Sequence, residues 1–123
     1  MRSILALVVA LAVVACESST VCTLIGCLNG LTVEIQNAPA GPITVQAIEG
    51  ASGSVHTATC PGTSGCTNKL FFPEFLPSQA RLTITTTVGT REQVVTPTYE
   101  TRQPNGPKCE PTCRGGTARV VWQ

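Results

Sequence analysis

Seven cysteines, one histidine and seven glutamates are the side chains of this sequence whose chemistry reaches beyond packing, and Asp is absent. A Ser-His-acid triad would have to recruit Glu around the single His56. An aspartate-rich calcium loop cannot be built, and neither can a site with several histidines. The nearest acid to His56 in sequence is Glu49, and the pattern predicts an isolated histidine rather than a catalytic base. Glu34, Glu74, Glu92, Glu100 and Glu110 are scattered, whereas glycoside hydrolysis needs two carboxyls at a set separation across a cleft. No catalytic residue is expected, and the protein is not expected to be an enzyme. Eight Lys+Arg against seven Glu leave a net charge of +1, and 4% of the residues are aromatic. A nucleic-acid binder needs a basic field and stacking surfaces, so no nucleic-acid partner is expected.

The cysteines divide into Cys16 alone and three close pairs: Cys22 and Cys27, Cys60 and Cys66, Cys109 and Cys113. Zinc knuckles space their ligands more tightly or add His, and redox sites use Cys-x-x-Cys. Neither pattern is present, so six paired cysteines predict structural disulfides of an exported domain and no metal.

The opening segment agrees with export. Arg2 precedes an unbroken apolar run from Ile4 to Ala15, too short for the roughly 20 residues of a spanning helix. It fits the apolar region of a secretory signal, roughly 7–15 residues long. The run ends in Val13-Val14-Ala15-Cys16, followed by Glu17. This ending resembles the lipobox of bacterial lipoproteins. The resemblance implies cleavage after Ala15, a diacylglycerol on the Cys16 sulfur, an acylated new amino terminus and a membrane partner reached through that lipid. By analogy with enteric sorting, Glu rather than Asp at position 17 implies the outer membrane. Two or three acyl chains anchor stably where one does so marginally. Loss of Arg2 leaves seven basic and seven acidic residues, so no polybasic stretch would assist. The expected organisation is a signal over 1–15, a tether over 16–21 and one domain over 22–123.

The elements that must hold these cysteines read as strands. Leu31, Val33 and Ile35 alternate with Thr32, Glu34 and Gln36, and Ile43, Val45 and Ala47 follow after the turn 37–42. Strands are predicted over 54–59, 68–72 and 81–88, then from Arg91 to Thr101 with an edge or bulge at Pro97, and from Thr117 to Trp122. Gly89 marks a hairpin, and Gln103 to Gly116 reads as a loop. No segment has helical periodicity, and eighteen Thr residues favour extended backbone. The fold class is all-β, a small disulfide-stapled antiparallel β-sandwich of about seven strands. The stretch Leu70-Phe71-Phe72-Pro73 through Leu82-Thr83-Ile84 to Val88-Gly89 resembles transthyretin-like domains, which implies the same architecture. Phe71, Phe72 and Phe75 are read as core around a proline corner. The core of such a short domain is thin, which is a reason for staples.

If strands alternate in direction, Cys22, Cys27, Cys109 and Cys113 share one end, because they precede the first and last strands. Cys60 and Cys66 then flank the other end, a strand length of roughly 17–20 Å away. Bridged Cα atoms lie within about 7 Å. Cys60 is thus expected to bond Cys66, and three arrangements of the other four stay open. Immunoglobulin-like sandwiches often set their first and last strands parallel and adjacent, and that similarity favours a link between the two pairs, for example Cys27 to Cys113.

Function is read from position. The lipid end would face the membrane, and the opposite end would display 37–42, the Cys60–Cys66 loop and the 88–91 hairpin. Thr63, Ser64, Thr67 and Arg91 are the candidate binding residues, against the plainer reading of solvated turns. Trp122 and Tyr99 suit a sugar platform or simple packing. The expectation is a non-catalytic envelope lipoprotein whose rigid sandwich binds a protein partner or joins a surface assembly. The alternative is an inhibitor-like or small-ligand-binding module working through the Cys60–Cys66 loop. No cofactor is expected beyond the covalent lipid on Cys16.

Overall fold

The computed structural model describes residues 21–50, 53–62 and 68–123. The expected signal and most of the tether lie outside these residues, as do Thr63, Ser64, Cys66 and Thr67. Eight strands follow in order: β1 (Gly30–Gln36), β2 (Ile43–Glu49), β3 (Val55–Cys60), β4 (Lys69–Pro73), β5 (Ala80–Thr86), β6 (Gly89–Val95), β7 (Thr98–Arg102) and β8 (Cys113–Val121). They form two four-stranded sheets, β4-β1-β8-β7 and β3-β2-β5-β6. Among the described residues there is no helix, and none long and apolar enough to cross a membrane.

Alternation explains why the two sheets close on each other. Leu31, Val33 and Ile35 from β1 meet Ile43, Val45 and Ala47 from β2 and Leu82 and Ile84 from β5, each at most 1% exposed. Phe72, Ala118 and Val120 complete the first sheet's share of the core. Thr, Gln and charged residues take the intervening outward positions, as expected of strands with one wet face.

Every strand pairing is antiparallel except one: β1 runs parallel to β8, with Gly30 opposite Gly115 and Gln36 opposite Val121. The segments leading into these strands are therefore parallel too, and their cysteines bond in the same order. Cys22 joins Cys109 (Cα–Cα 5.6 Å) and Cys27 joins Cys113 (Cα–Cα 6.0 Å). This is the pair-to-pair linkage favoured by the immunoglobulin-like similarity. Cys60 is disulfide-bonded as well.

Three local expectations are corrected. The segment Arg91 to Thr101 is two strands in different sheets, β6 and β7, divided at Thr96-Pro97. Proline has no N–H for a ladder, and here the break is where the chain leaves one sheet for the other. The predicted loop 103–116 ends earlier, because β8 starts at Cys113 and contains Gly115 and Gly116. Two adjacent glycines carry no β signal, yet Arg102 and Tyr99 of β7 cover them. Finally, Phe71 is 40% exposed and does not belong to the core. Leu70 and Phe72 point inward, so alternation turns Phe71 out.

Candidate functional site

The sandwich has two unlike ends. At the far end, β1 and β8 finish, β2 begins and the β5–β6 hairpin turns. Thr87 Oγ1 donates to the Ala40 carbonyl at 3.1 Å, tying the hairpin to the 37–42 loop. A Cβ placed on Gly62 would lie 2.5 Å from the Gly41 carbonyl carbon, so the chain after Cys60 packs on the same loop. Gly89, at φ 141°, closes the hairpin. The 37–42 loop, the hairpin and residues 61–62 after Cys60 thus form one continuous cap, as the strand directions require.

Arg91 is the described member of the predicted binding set. It stands on β6 with its guanidinium 4.9 Å from the centre of the Trp122 ring. Trp122, just past β8, is half-buried against the core, and its backbone N–H donates to the Gln36 carbonyl at 2.8 Å. Arg91 therefore bridges the two sheets at the cap through a cation–π contact and does not extend freely from a loop.

Trp122 and Tyr99 do not make a joint platform. Tyr99 pairs with Gly116, six residues before Trp122 along β8, a separation of roughly 20 Å. The Tyr99 phenol donates to the Pro77 carbonyl, and the Arg114 guanidinium stacks on its ring at 4.6 Å. Burial pushes the Tyr99 pKa up; Arg114 pulls it back in part, and Glu49 adds to the rise.

His56 stacks on Phe75 with ring centroids 4.3 Å apart, and its Nε2 lies 3.1 Å from Ser54 Oγ. No carboxylate joins this Ser-His pair by a hydrogen bond or ion pair among the described residues. The contacts make His56 a fastener between β3 and the turn after β4. Glu34 reaches Arg119 across β1 and β8 at 3.5 Å, both substantially solvated. Among the described residues no three His, Cys, Asp or Glu side chains group as metal ligands.

Two openings were not anticipated. A cleft of about 570 Å³ runs where the edge strands β6 and β7 face each other, with Gln93, Val94, Glu100, Arg102 and Arg119 on its walls. Its lining mixes both charge signs with neutral groups. Along exposed β6 the side chains alternate, Arg91 and Gln93 on the face of Ile84 and Leu82 and Glu92 on the other, charges that guard an edge against strand addition. A shallower depression of about 370 Å³ lies on the outer face of the first sheet. Its floor is the register pair Gly30 and Gly115. The Phe71 ring lies over Gly30 and the Arg102 guanidinium over Gly115, within 2.6 Å and 2.7 Å of where their Cβ atoms would be. Leu28 closes one side.

The staple end is held by more than disulfides. Asn105, 9% exposed, accepts at Oδ1 from Thr23 Oγ1 (2.6 Å) and Ile25 N (2.8 Å). Its Nδ2 donates to the carbonyls of Ile25 and Glu110, both at 2.8 Å. All the capacity of one amide is spent fixing residues 23–25 to the 105–110 loop, where no strand pairs. Asn29 continues the seam, accepting from Arg114 N at Oδ1 and from Glu74 N at its carbonyl. Sequence reading missed Asn105 because it lies in a Pro- and Gly-rich stretch that reads as turn, and missed Arg102 because nothing in the sequence places it over a glycine. Compared with protein-family models, with curated proteins and with solved structures, the chain matches none.

Proposed function

We propose that the protein is a non-catalytic lipoprotein of the bacterial envelope, acylated at Cys16 in the outer membrane, which presents the far-end cap of a rigid β-sandwich to a protein partner or surface assembly. One observation carries the reading: the two ends of the sandwich differ. Val21 and the four cysteines 22, 27, 109 and 113 occupy one end, and the 37–42 turn, the β5–β6 hairpin and Trp122 occupy the other. Loops on a rigid scaffold are where binding is usually placed, and the fastening of this cap by Thr87 and by Arg91 on Trp122 lowers the entropy lost on binding. The lipid is the only added group the reading requires.

The test combines intact mass with cross-linking. Protein extracted from its own membrane is expected to weigh as Cys16 to Gln123 plus acyl chains, and Cys16→Ser is expected to lose the acyl mass and the membrane fraction. A photo-reactive residue at Val88, 68% exposed in the hairpin, is expected to give one defined adduct that the same group at Leu24 does not give. An unacylated mass would refute the anchor. Identical adducts from both ends would refute the cap as the binding surface.

A further inference from the structure

Four of the large apolar side chains that face solvent fall within eight residues at the staple end: Val21 (87% exposed), Leu24 (100%), Ile25 (55%) and Leu28 (70%). A loose segment would fold such side chains against the protein. This one cannot, because Cys22–Cys109, Cys27–Cys113, Asn105 and Asn29 hold its backbone in place. The apolar rim is thus presented by a fixed support, and large apolar side chains exposed together mark a protein or membrane contact. Beside it, Leu28, Phe71 and Arg102 bound the glycine-floored depression. Apolar side chains next to a guanidinium match the layered chemistry of a membrane interface, where acyl and glycerol groups meet phosphate. Arg102 has no ion pair among the described residues.

We propose that the staple end is a lipid-docking surface, with Val21, Leu24, Ile25, Leu28 and Phe71 seated in the interfacial layer and Arg102 at lipid phosphate. This rests on the reading that Cys16 is acylated. Chain length chooses the occupant: four residues lie between Cys16 and Val21, and five residue steps reach at most about 18 Å. A bilayer holding the lipid of Cys16 is therefore always within that reach of the rim. A second copy of the chain fits less well, since four aliphatic side chains fall short of the roughly 800 Å² per partner that stable interfaces bury. Docking would fix the stance of the sandwich, with the cap directed away from the membrane.

The molecule carries its own reference probe, because its single tryptophan, Trp122, lies at the opposite end of the first sheet. The acylated protein is reconstituted in phosphatidylethanolamine–phosphatidylglycerol vesicles with or without brominated acyl chains. Fluorescence of the native chain is expected to be unquenched, and Leu24→Trp, at a fully exposed position, is expected to add a strongly quenched component. Adding Leu28→Glu and Ile25→Glu is expected to reduce that quenching at least about three-fold while the near-ultraviolet dichroism stays native. Acylated Leu24→Trp no more quenched than Trp122 would overturn the inference and leave the anchor standing. If the mass shows no acyl chain, the unacylated Leu24→Trp chain decides the point: quenching at high vesicle concentration upholds the surface alone, and none removes both readings. A concentration-dependent dimer that shields Leu24→Trp without vesicles would assign the rim to a second copy and overturn the proposal.

Discussion

Tyr99 is the one tyrosine in the chain, so its chemistry can be watched directly. Its phenol donates to the Pro77 carbonyl, and its pKa is raised by burial, against the opposing pull of Arg114. The folded protein therefore holds this proton more tightly than the unfolded chain, whose phenol titrates near 10. By linkage the resulting stabilisation is complete below about pH 10 and is lost as pH climbs through the higher folded value. Ultraviolet titration of the native protein is expected to show a phenol midpoint above that of the denatured chain. Tyr99→Phe is expected to lose about 1 kcal/mol at neutral pH with the hydrogen bond, and its stability should no longer carry this phenol's share of the alkaline decline. A native midpoint equal to the denatured one would contradict the environment described. The role of Tyr99 was not legible in the sequence, since its partner is 22 residues away in a turn. Asn105 is a similar case, because an amide before Gly reads as a turn whether or not it clamps another segment.

At the scale of elements, strict alternation was readable and irregular strands were not. The core faces of β1, β2 and β5 are those the pattern specifies, because Leu, Val and Ile at every second position leave one register that buries them. The strand that changes sheet at Pro97 looks continuous in one dimension, for both halves favour extended backbone. The glycines of β8 look like a loop for the opposite reason. Their places are set by the Tyr99 ring and the Arg102 guanidinium of neighbouring β7, so they are tertiary features. Gly116→Ala tests this, since its Cβ would lie 2.5 Å from Tyr99 Cε1, and the ring must leave its seat over the glycine. The expected cost is about 1–3 kcal/mol, as for other overpacked sites, and the Tyr99 titration should move toward that of the denatured chain. A wild-type denaturation midpoint and an unmoved titration would show that the ring does not rest on Gly116. Of the candidate site, the sequence placed the turns at the correct end through strand direction, and missed both openings because each is formed by side chains of strands distant in sequence.

For the molecule as a whole, the parallel neighbours β1 and β8 decide the covalent network. Parallel segments bond in the same order, Cys22 to Cys109 and Cys27 to Cys113; antiparallel ones would have nested. Each bridge alone closes a loop of nearly ninety residues, a constraint worth about 4–5 kcal/mol in the chain-entropy account. Once one is made, the other closes only a small ring, so the pair is partly redundant. Cys27→Ser with Cys113→Ser is expected to lower stability by about 3 kcal/mol or less in denaturant titration. Reduction of all bridges should cost clearly more, and equal losses would contradict the shared constraint. The same connectivity has a mechanical side. A pull applied between Val21 and Trp122 enters at Cys22, crosses to the 109–113 segment by two branches of nearly equal length, and leaves along β8. Roughly fourteen residues, on the order of 50 Å of extended chain, would bear the load. The other strands are shunted out of the force path, so the protein would yield a short, stiff extension while most of both sheets carry no tension.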